Sequence, residues 1–238
     1  MRFTWTKDRR RQRLAGVYAA SGLTLAATGA WLGDVSWLLL WPAESLTLVA
    51  VCYAFLGPQG FMKSAHGRMN VAARWLLAPY LIGAWINSRL WTRNDALPAH
   101  VIDQVWIGRF PGMVDLGDCG TLGVVDLTAE FPALDADHPW HCVPMLDLVA
   151  PSVAALREAS TQIDQCLREG PVLVCCALGY GRSAAAIVTW LLLTGRASTV
   201  DGAAALVKGA RPRLVLRPDD LEAIATAANS ENHFAVAA

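Results

Sequence analysis

Acidic residues are nearly missing from the first 94 positions of this 238-residue chain, where three Asp+Glu stand against eleven Lys+Arg. From position 95 onward the balance reverses to nine basic against seventeen acidic, so a formal net charge of zero conceals +8 on one part and −8 on the other. An asymmetry of this size marks two parts with different surroundings. Cysteine lacks any useful pattern. The six, at 52, 119, 142, 166, 175 and 176, have neither the paired spacing of a metal site nor the density of a small disulfide-held scaffold, which excludes both classes. No internal repeat is visible, which excludes a solenoid. The sequence therefore calls for no metal or cofactor, and no nucleic-acid partner is expected.

Apolar sequence is abundant instead. Hydrophobic residues make up 54% of the chain and mean hydropathy is +0.34, high for a wholly soluble protein. Residues 1–13 carry Arg2, Lys7, Arg9, Arg10, Arg11 and Arg13 against Asp8. Two apolar runs follow, 14–32 and 35–56, separated only by Gly33 and Asp34; each is long enough to cross a bilayer, and together they read as a helical hairpin. Pro42 and Glu44 interrupt the second run, and Glu44 is either a hairpin-mouth residue or a functional group at membrane depth. A cleaved signal peptide is disfavoured, because Thr28 and Ala30 make a poor cleavage site and a second span follows at once. The third run, 75–86, is short and contains Pro79. It reads either as a short third span or as a helix in the interface, anchored by Trp75, Trp85, Trp91, Arg89 and Arg93. Basic residues at the start and at Lys63, Arg68 and Arg74 favour two spans, with everything after them in the cytoplasm of a bacterial-type inner membrane.

The expected organisation is a membrane anchor over 1–93, a linker over 94–103, a catalytic domain over 104–230 and a tail over 231–238. Within the domain, strand candidates at 104–108, 123–127, 142–146 and 171–175 alternate with helices opening at Ser152, Ser183, Ser198 and Pro218. This alternation predicts an α/β fold with a central mixed sheet flanked by helices.

The chemistry concentrates where the fourth strand meets its helix, at Cys176-Ala-Leu-Gly-Tyr-Gly-Arg182-Ser183. A cysteine at a strand end, glycines in the turn and a helix start behind them gather backbone N–H groups and a positive dipole end into one bowl for a phosphate-sized dianion. The same field favours the thiolate, the nucleophilic form. Cys176 is the candidate nucleophile; Ala177, Leu178, Gly179, Tyr180, Gly181 and Arg182 are candidate phosphate binders; Ser183 is placed to donate to the sulfur. Arg182 offers a planar fork for two phosphate oxygens.

These residues match every fixed position of Cys-x5-Arg-Ser/Thr, and residues 100–225 resemble the dual-specificity and protein-tyrosine phosphatase superfamily. Trp106-Ile-Gly108, Asp147-Leu-Val-Ala-Pro-Ser152 and Ala210-Arg-Pro212 are similar to the compact subgroup that includes the mitochondrial phosphatase of phosphatidylglycerophosphate. The resemblance implies a cysteinyl-phosphate intermediate and makes Asp147 the general acid; Asp126, also at a strand end, is the substitute. It also implies a departure. Family members usually carry His before the nucleophile, and here Cys175 stands there, so the thiolate rests more on the loop amides, the helix dipole, Arg182 and Ser183. Arg211, Arg213 and Arg217 are either supports of the site or contacts to substrate phosphate.

The expectation is a membrane-anchored phosphatase whose partners are the lipid bilayer and a phosphorylated substrate, first a phospholipid such as phosphatidylglycerophosphate. The alternatives are a phosphotyrosine or phosphoserine/threonine protein phosphatase, and a membrane scaffold that binds phosphate without turnover.

Overall fold

The computed structural model describes residues 9–112, 123–134 and 138–229; the basic positions before Arg9, Cys119 and the expected tail at 231–238 lie outside the described residues. The chain divides into two compact units. One comprises Met1–Met62 and Met69–Ala84, the other Lys63–Arg68 and Trp85–Ala238.

In the first unit, α1 (Arg9–Leu32) packs on α2 (Leu40–Val51) across the turn at Gly33 and Asp34. Ala15, Gly22 and Gly29 are its buried residues, one every seven positions. A Cβ on Gly22 would stand 2.7 Å from Thr47 Oγ1, and one on Gly29 would stand 2.8 Å from the Ser36 carbonyl. Such a small-residue seam lets two helical backbones approach without a large apolar core. Among the described residues one helical stretch, Asp34–Phe61, is long and apolar enough to cross a membrane by length and composition. The expected first span, α1, does not reach the same apolarity, since Gly, Ser, Thr and its opening arginines dilute it. Glu44 is exposed on α2.

The third apolar run is broken. It forms α3 (Val71–Leu76), capped by Asn70 Oδ1 on the Ala72 amide at 2.8 Å, and α4 (Ala78–Trp91). Pro79 has no N–H and its ring opposes the carbonyl four residues back, so the helix restarts at its first turn. The α4 helix begins in the first unit and ends in the second.

The second unit is built on five strands, β1 (Ala99–Ile102), β2 (Val105–Arg109), β3 (Gly123–Thr128), β4 (Trp140–Met145) and β5 (Val172–Cys176), in the order β1-β2-β5-β3-β4. Only β1 runs antiparallel to its neighbour. It lies within 94–103, where the sequence suggested a linker. One face of the sheet carries Ile107, Val125, Leu127, Val143 and Val174, covered by α5 (Val153–Leu167), α6 (Arg182–Leu193), α7 (Val200–Ala210) and α8 (Pro218–Asn229). Ser152 caps α5 through the Ala155 amide at 3.2 Å. A mixed sheet flanked by helices is thus the observed fold.

The opposite face is polar at its centre. Asp126 and Cys175 sit side by side in the β3–β5 register, and the segment Lys63–Arg68 lies over them. The Ala65 carbonyl accepts from the Cys142 amide at 2.7 Å, and the Gly67 carbonyl from the Ala133 amide at 2.8 Å. Lys63 is wholly buried and spends its three protons on Asp126 Oδ2 at 2.5 Å, Thr128 O at 2.8 Å and Thr128 Oγ1 at 3.1 Å. Burial alone would strip its proton; Asp126 outweighs that and holds its pKa above the ordinary lysine value. Lys63→Ala leaves Asp126 buried without its cation, and unfolding of the second unit in detergent should lose about 3–5 kcal/mol. The double variant Lys63→Met, Asp126→Leu should recover much of this, because neither buried charge remains.

Candidate active site

β5 delivers Cys176 to its end and α6 begins at Arg182, so five residues must turn back between them. The turn is possible because Gly179 has φ +75; a Cβ there would also stand 2.4 Å from the backbone carbon of Gly108 on β2. Glycine is required on both counts. The Cys176 sulfur is buried, accepts the Gly179 amide at 3.3 Å and lies 3.4 Å from Ser183 Oγ.

The carbonyls of the loop are held from outside. Ala177 O accepts from Ser88 Oγ at 2.5 Å, Leu178 O from Arg211 Nη2 at 3.3 Å, Tyr180 O from the Val215 amide at 3.0 Å, and Gly181 O from the Ala185 amide at 2.8 Å. With these oxygens engaged, the Gly179 amide turns to the Cys176 sulfur, and loop amides at a helix start suit an anion.

Arg182 is the electrostatic centre of the site. Nη1 donates to Glu130 Oε2 at 2.9 Å and to the Met145 carbonyl at 2.9 Å; Nη2 donates to Glu130 Oε1 at 2.6 Å and lies 3.2 Å from Asp147 Oδ1. Its Nε is buried without a partner among the described residues. Burial opposes the charge, but Glu130, then Asp147, raise its pKa well above the ordinary arginine value. Glu130 is equally buried. Burial pushes its carboxyl up, and the charge and hydrogen bonds of Arg182 outweigh that and lower it.

Asp147 follows β4 and its side chain remains 39% exposed. The next residue, Leu148, has φ +58, and its carbonyl accepts Arg217 Nη1 at 2.6 Å. Asp220 fixes Arg217 in turn, through Nε at 2.9 Å and Nη2 at 3.1 Å. Arg217 thus supports the acidic loop. Arg211 is buried, donates to the carbonyls of Leu97, Asp95 and Leu178, and stacks on the Tyr180 ring, whose hydroxyl donates to Asp95 Oδ2 at 2.6 Å. It too supports the loop. Arg213 is half exposed and lies 3.5 Å from Asp95.

The structure therefore brings Cys176, Arg182, Ser183 and Asp147 together around the turn 177–181. It leaves Asp126 out, since that carboxylate is committed to Lys63, the Thr128 amide and hydroxyl, and Trp140 Nε1 on the far face. Cys175 points to that same face, where burial and then Asp126 drive its thiol well above the ordinary value. It offers the loop no positive charge of the kind a histidine could. Glu130 was not among the candidates. Its signal was an acid in the apolar stretch Leu127–Phe131, where a buried arginine elsewhere would need a partner. Among the described residues no group of three or more His, Cys, Asp or Glu could hold a metal ion.

Residues 111–196 match the family described as "Polymorphic toxin system, DSP-PTPase phosphatase". Among solved structures, the active form of Tk-PTP is 25% identical, covering 56% of this chain and 97% of that one, with a TM-score of 0.51. Human DUSP28 is 20% identical over 57% of this chain and 99% of its own, with a TM-score of 0.52. PTPMT1 is 17% identical over 59% and 99%, with a TM-score of 0.51, and is similar also in its complex with PI(5)P. No curated protein matches the chain in sequence.

The lowered carboxyl of Glu130 carries a pH consequence. A carboxylate whose pKa is depressed by folding stabilises above its unfolded value, about 4.3, and that contribution disappears as pH falls through the folded value. Glu130→Gln should therefore cost stability at pH 7, about 3 kcal/mol by urea unfolding in detergent. It should also flatten the loss of stability that the native chain shows below about pH 4.3.

Proposed function

We propose that this chain, a member of the dual-specificity and tyrosine phosphatase superfamily, hydrolyses the phosphate monoester of a membrane phospholipid through a thiolate on Cys176. That it is a phosphoric monoester hydrolase rests on the matched family and the shared fold. The lipid and the residue roles are our reading. The observation that carries it is the pairing of a buried sulfur within reach of a loop amide and a hydroxyl with an arginine whose Nε has no partner among the described residues. Cys176 attacks phosphorus in line and the ester oxygen departs with the proton of Asp147. Arg182 Nε and the amides of 177–182 take the equatorial oxygens as charge shifts in the transition state. Asp147, now ionised, activates water against the thiophosphate, and Ser183 donates to the departing sulfur.

A phospholipid is favoured by place. The stretch Asp34–Phe61 is apolar enough to cross a bilayer, and we take it with α1 as the two-span anchor. Residues 63–68 and the chain from 85 on belong to one compact unit, and we take the segment between them to start and end on one side of the membrane. This argues against a third span and for interfacial helices, α3 bearing the exposed Trp75 and α4 the exposed Trp85 and Trp91. The arginines at the start of α1, with Arg68 and Arg74, put that side in the cytoplasm, where thiols stay reduced. A fold relative crystallised with a phosphoinositide is consistent with a lipid headgroup.

Purified protein in detergent should release phosphate from an aryl phosphate. Cys176→Ser should abolish release while keeping phosphate binding, and Asp147→Asn should lower kcat about a hundredfold, most with poor leaving groups. Turnover of phosphatidylglycerophosphate and phosphoinositides in mixed micelles should exceed that of phosphopeptides; faster phosphopeptide turnover would make this a protein phosphatase with a localising anchor. For topology, a reporter fused after Ala238 should be active in its cytoplasmic form, and activity only outside the cytoplasm would refute the two-span arrangement.

A further inference from the structure

One of the groups that hold the catalytic loop from outside comes from a helix beyond the matched family segment and beyond every motif in the sequence. Ser88 lies on α4, 89 positions before Ala177, is 1% exposed, and donates its only hydroxyl proton to the Ala177 carbonyl. Its own carbonyl accepts Thr92 Oγ1 at 2.7 Å, and that hydroxyl accepts from Arg109 Nη1 at 3.2 Å. Arg109 directly follows Gly108, the residue against which Gly179 packs. The hydroxyl is thus anchored to the strand beside the loop as well as to its own helix.

A trans peptide is planar, so its oxygen and hydrogen point to opposite sides. Fixing Ala177 O outward on Ser88 therefore aims the Leu178 N–H inward. The neighbouring peptide shows the same geometry. Arg211 holds Leu178 O outward, and the Gly179 N–H on the other side reaches the Cys176 sulfur at 3.3 Å. Without its outer partner, the 177–178 peptide can rotate and present a carbonyl oxygen to the dianion. That replaces an attraction with a repulsion beside the nucleophile.

We propose that Ser88 is a positioning residue, which keeps the 177–178 peptide oriented with its N–H toward the phosphate. It acts through the loop and touches no substrate. The inference rests on the phosphatase reading above, and its readouts separate the two.

The test compares the full-length protein with Ser88→Ala, Ser88→Cys, which keeps the volume with a weak donor, and Ser88→Thr, which keeps the hydroxyl. In detergent, three quantities are measured on folded protein: affinity for inorganic phosphate by competition, kcat and KM for an aryl phosphate, and the pH dependence of Cys176 alkylation. Ser88→Ala should weaken phosphate affinity and lower kcat each about tenfold. It should also move half-maximal alkylation to higher pH. Ser88→Thr should restore all three toward the native values. If Ser88→Ala does not fold, Ser88→Cys should show the same direction of change. Native phosphate affinity and a native alkylation profile in either folded variant would overturn the inference, as would a fall in melting temperature with those two unmoved. Native protein that neither binds phosphate nor hydrolyses the aryl ester would instead overturn the proposed function, while the alkylation profiles would still report whether Ser88 acts on Cys176.

Discussion

A single guanidinium ties together the ends of three parallel strands. Arg182 begins the helix after β5, donates to both oxygens of Glu130 in the segment after β3, and donates to the carbonyl that ends β4. Buried ions are costly unless paired in good geometry, and the two-pronged Arg–Glu contact meets that requirement. It also directs the side chain, because with both terminal nitrogens committed to protein, Nε is the donor left over among the described residues. The cation that a phosphate would meet is thereby fixed before any ligand arrives, which is how preorganised charge lowers a barrier.

The loop beside it follows the same logic. Amides converge only if carbonyls diverge, and divergence requires donors on the outside. Ser88, Arg211 and the Val215 amide come from three separate parts of the chain. Residues that look like phosphate contacts by charge can therefore serve as supports, as Arg211 and Arg217 do. Arg211 grips three carbonyls, and Arg217 holds the turn that presents Asp147.

The catalytic unit is also discontinuous. Lys63 comes from the stretch between two apolar helices, yet its ammonium closes a polar cluster on the far face of the sheet, beneath Cys175. Directly before Cys176 the chain has a second thiol, Cys175, beside the buried Asp126–Lys63 pair.

The amino-acid sequence alone determined the local elements and the chemistry of the loop. The strands at β2 to β5, the Ser152 cap and the Cys-x5-Arg turn were legible because periodicity, capping and a glycine-bearing turn act over a few neighbouring residues. Four things were decided only by tertiary structure. These are the Glu130 partner of Arg182, the commitment of Asp126 to Lys63, the strand inside the expected linker at 99–102, and Ser88 behind the loop. They join residues between three and 89 positions apart, through burial and hydrogen bonds that leave no periodic trace in sequence. Glu130 and Lys63 read as ordinary charges until the fold removes water from around them; only then does a buried cation need an anion, and the pairing becomes specific.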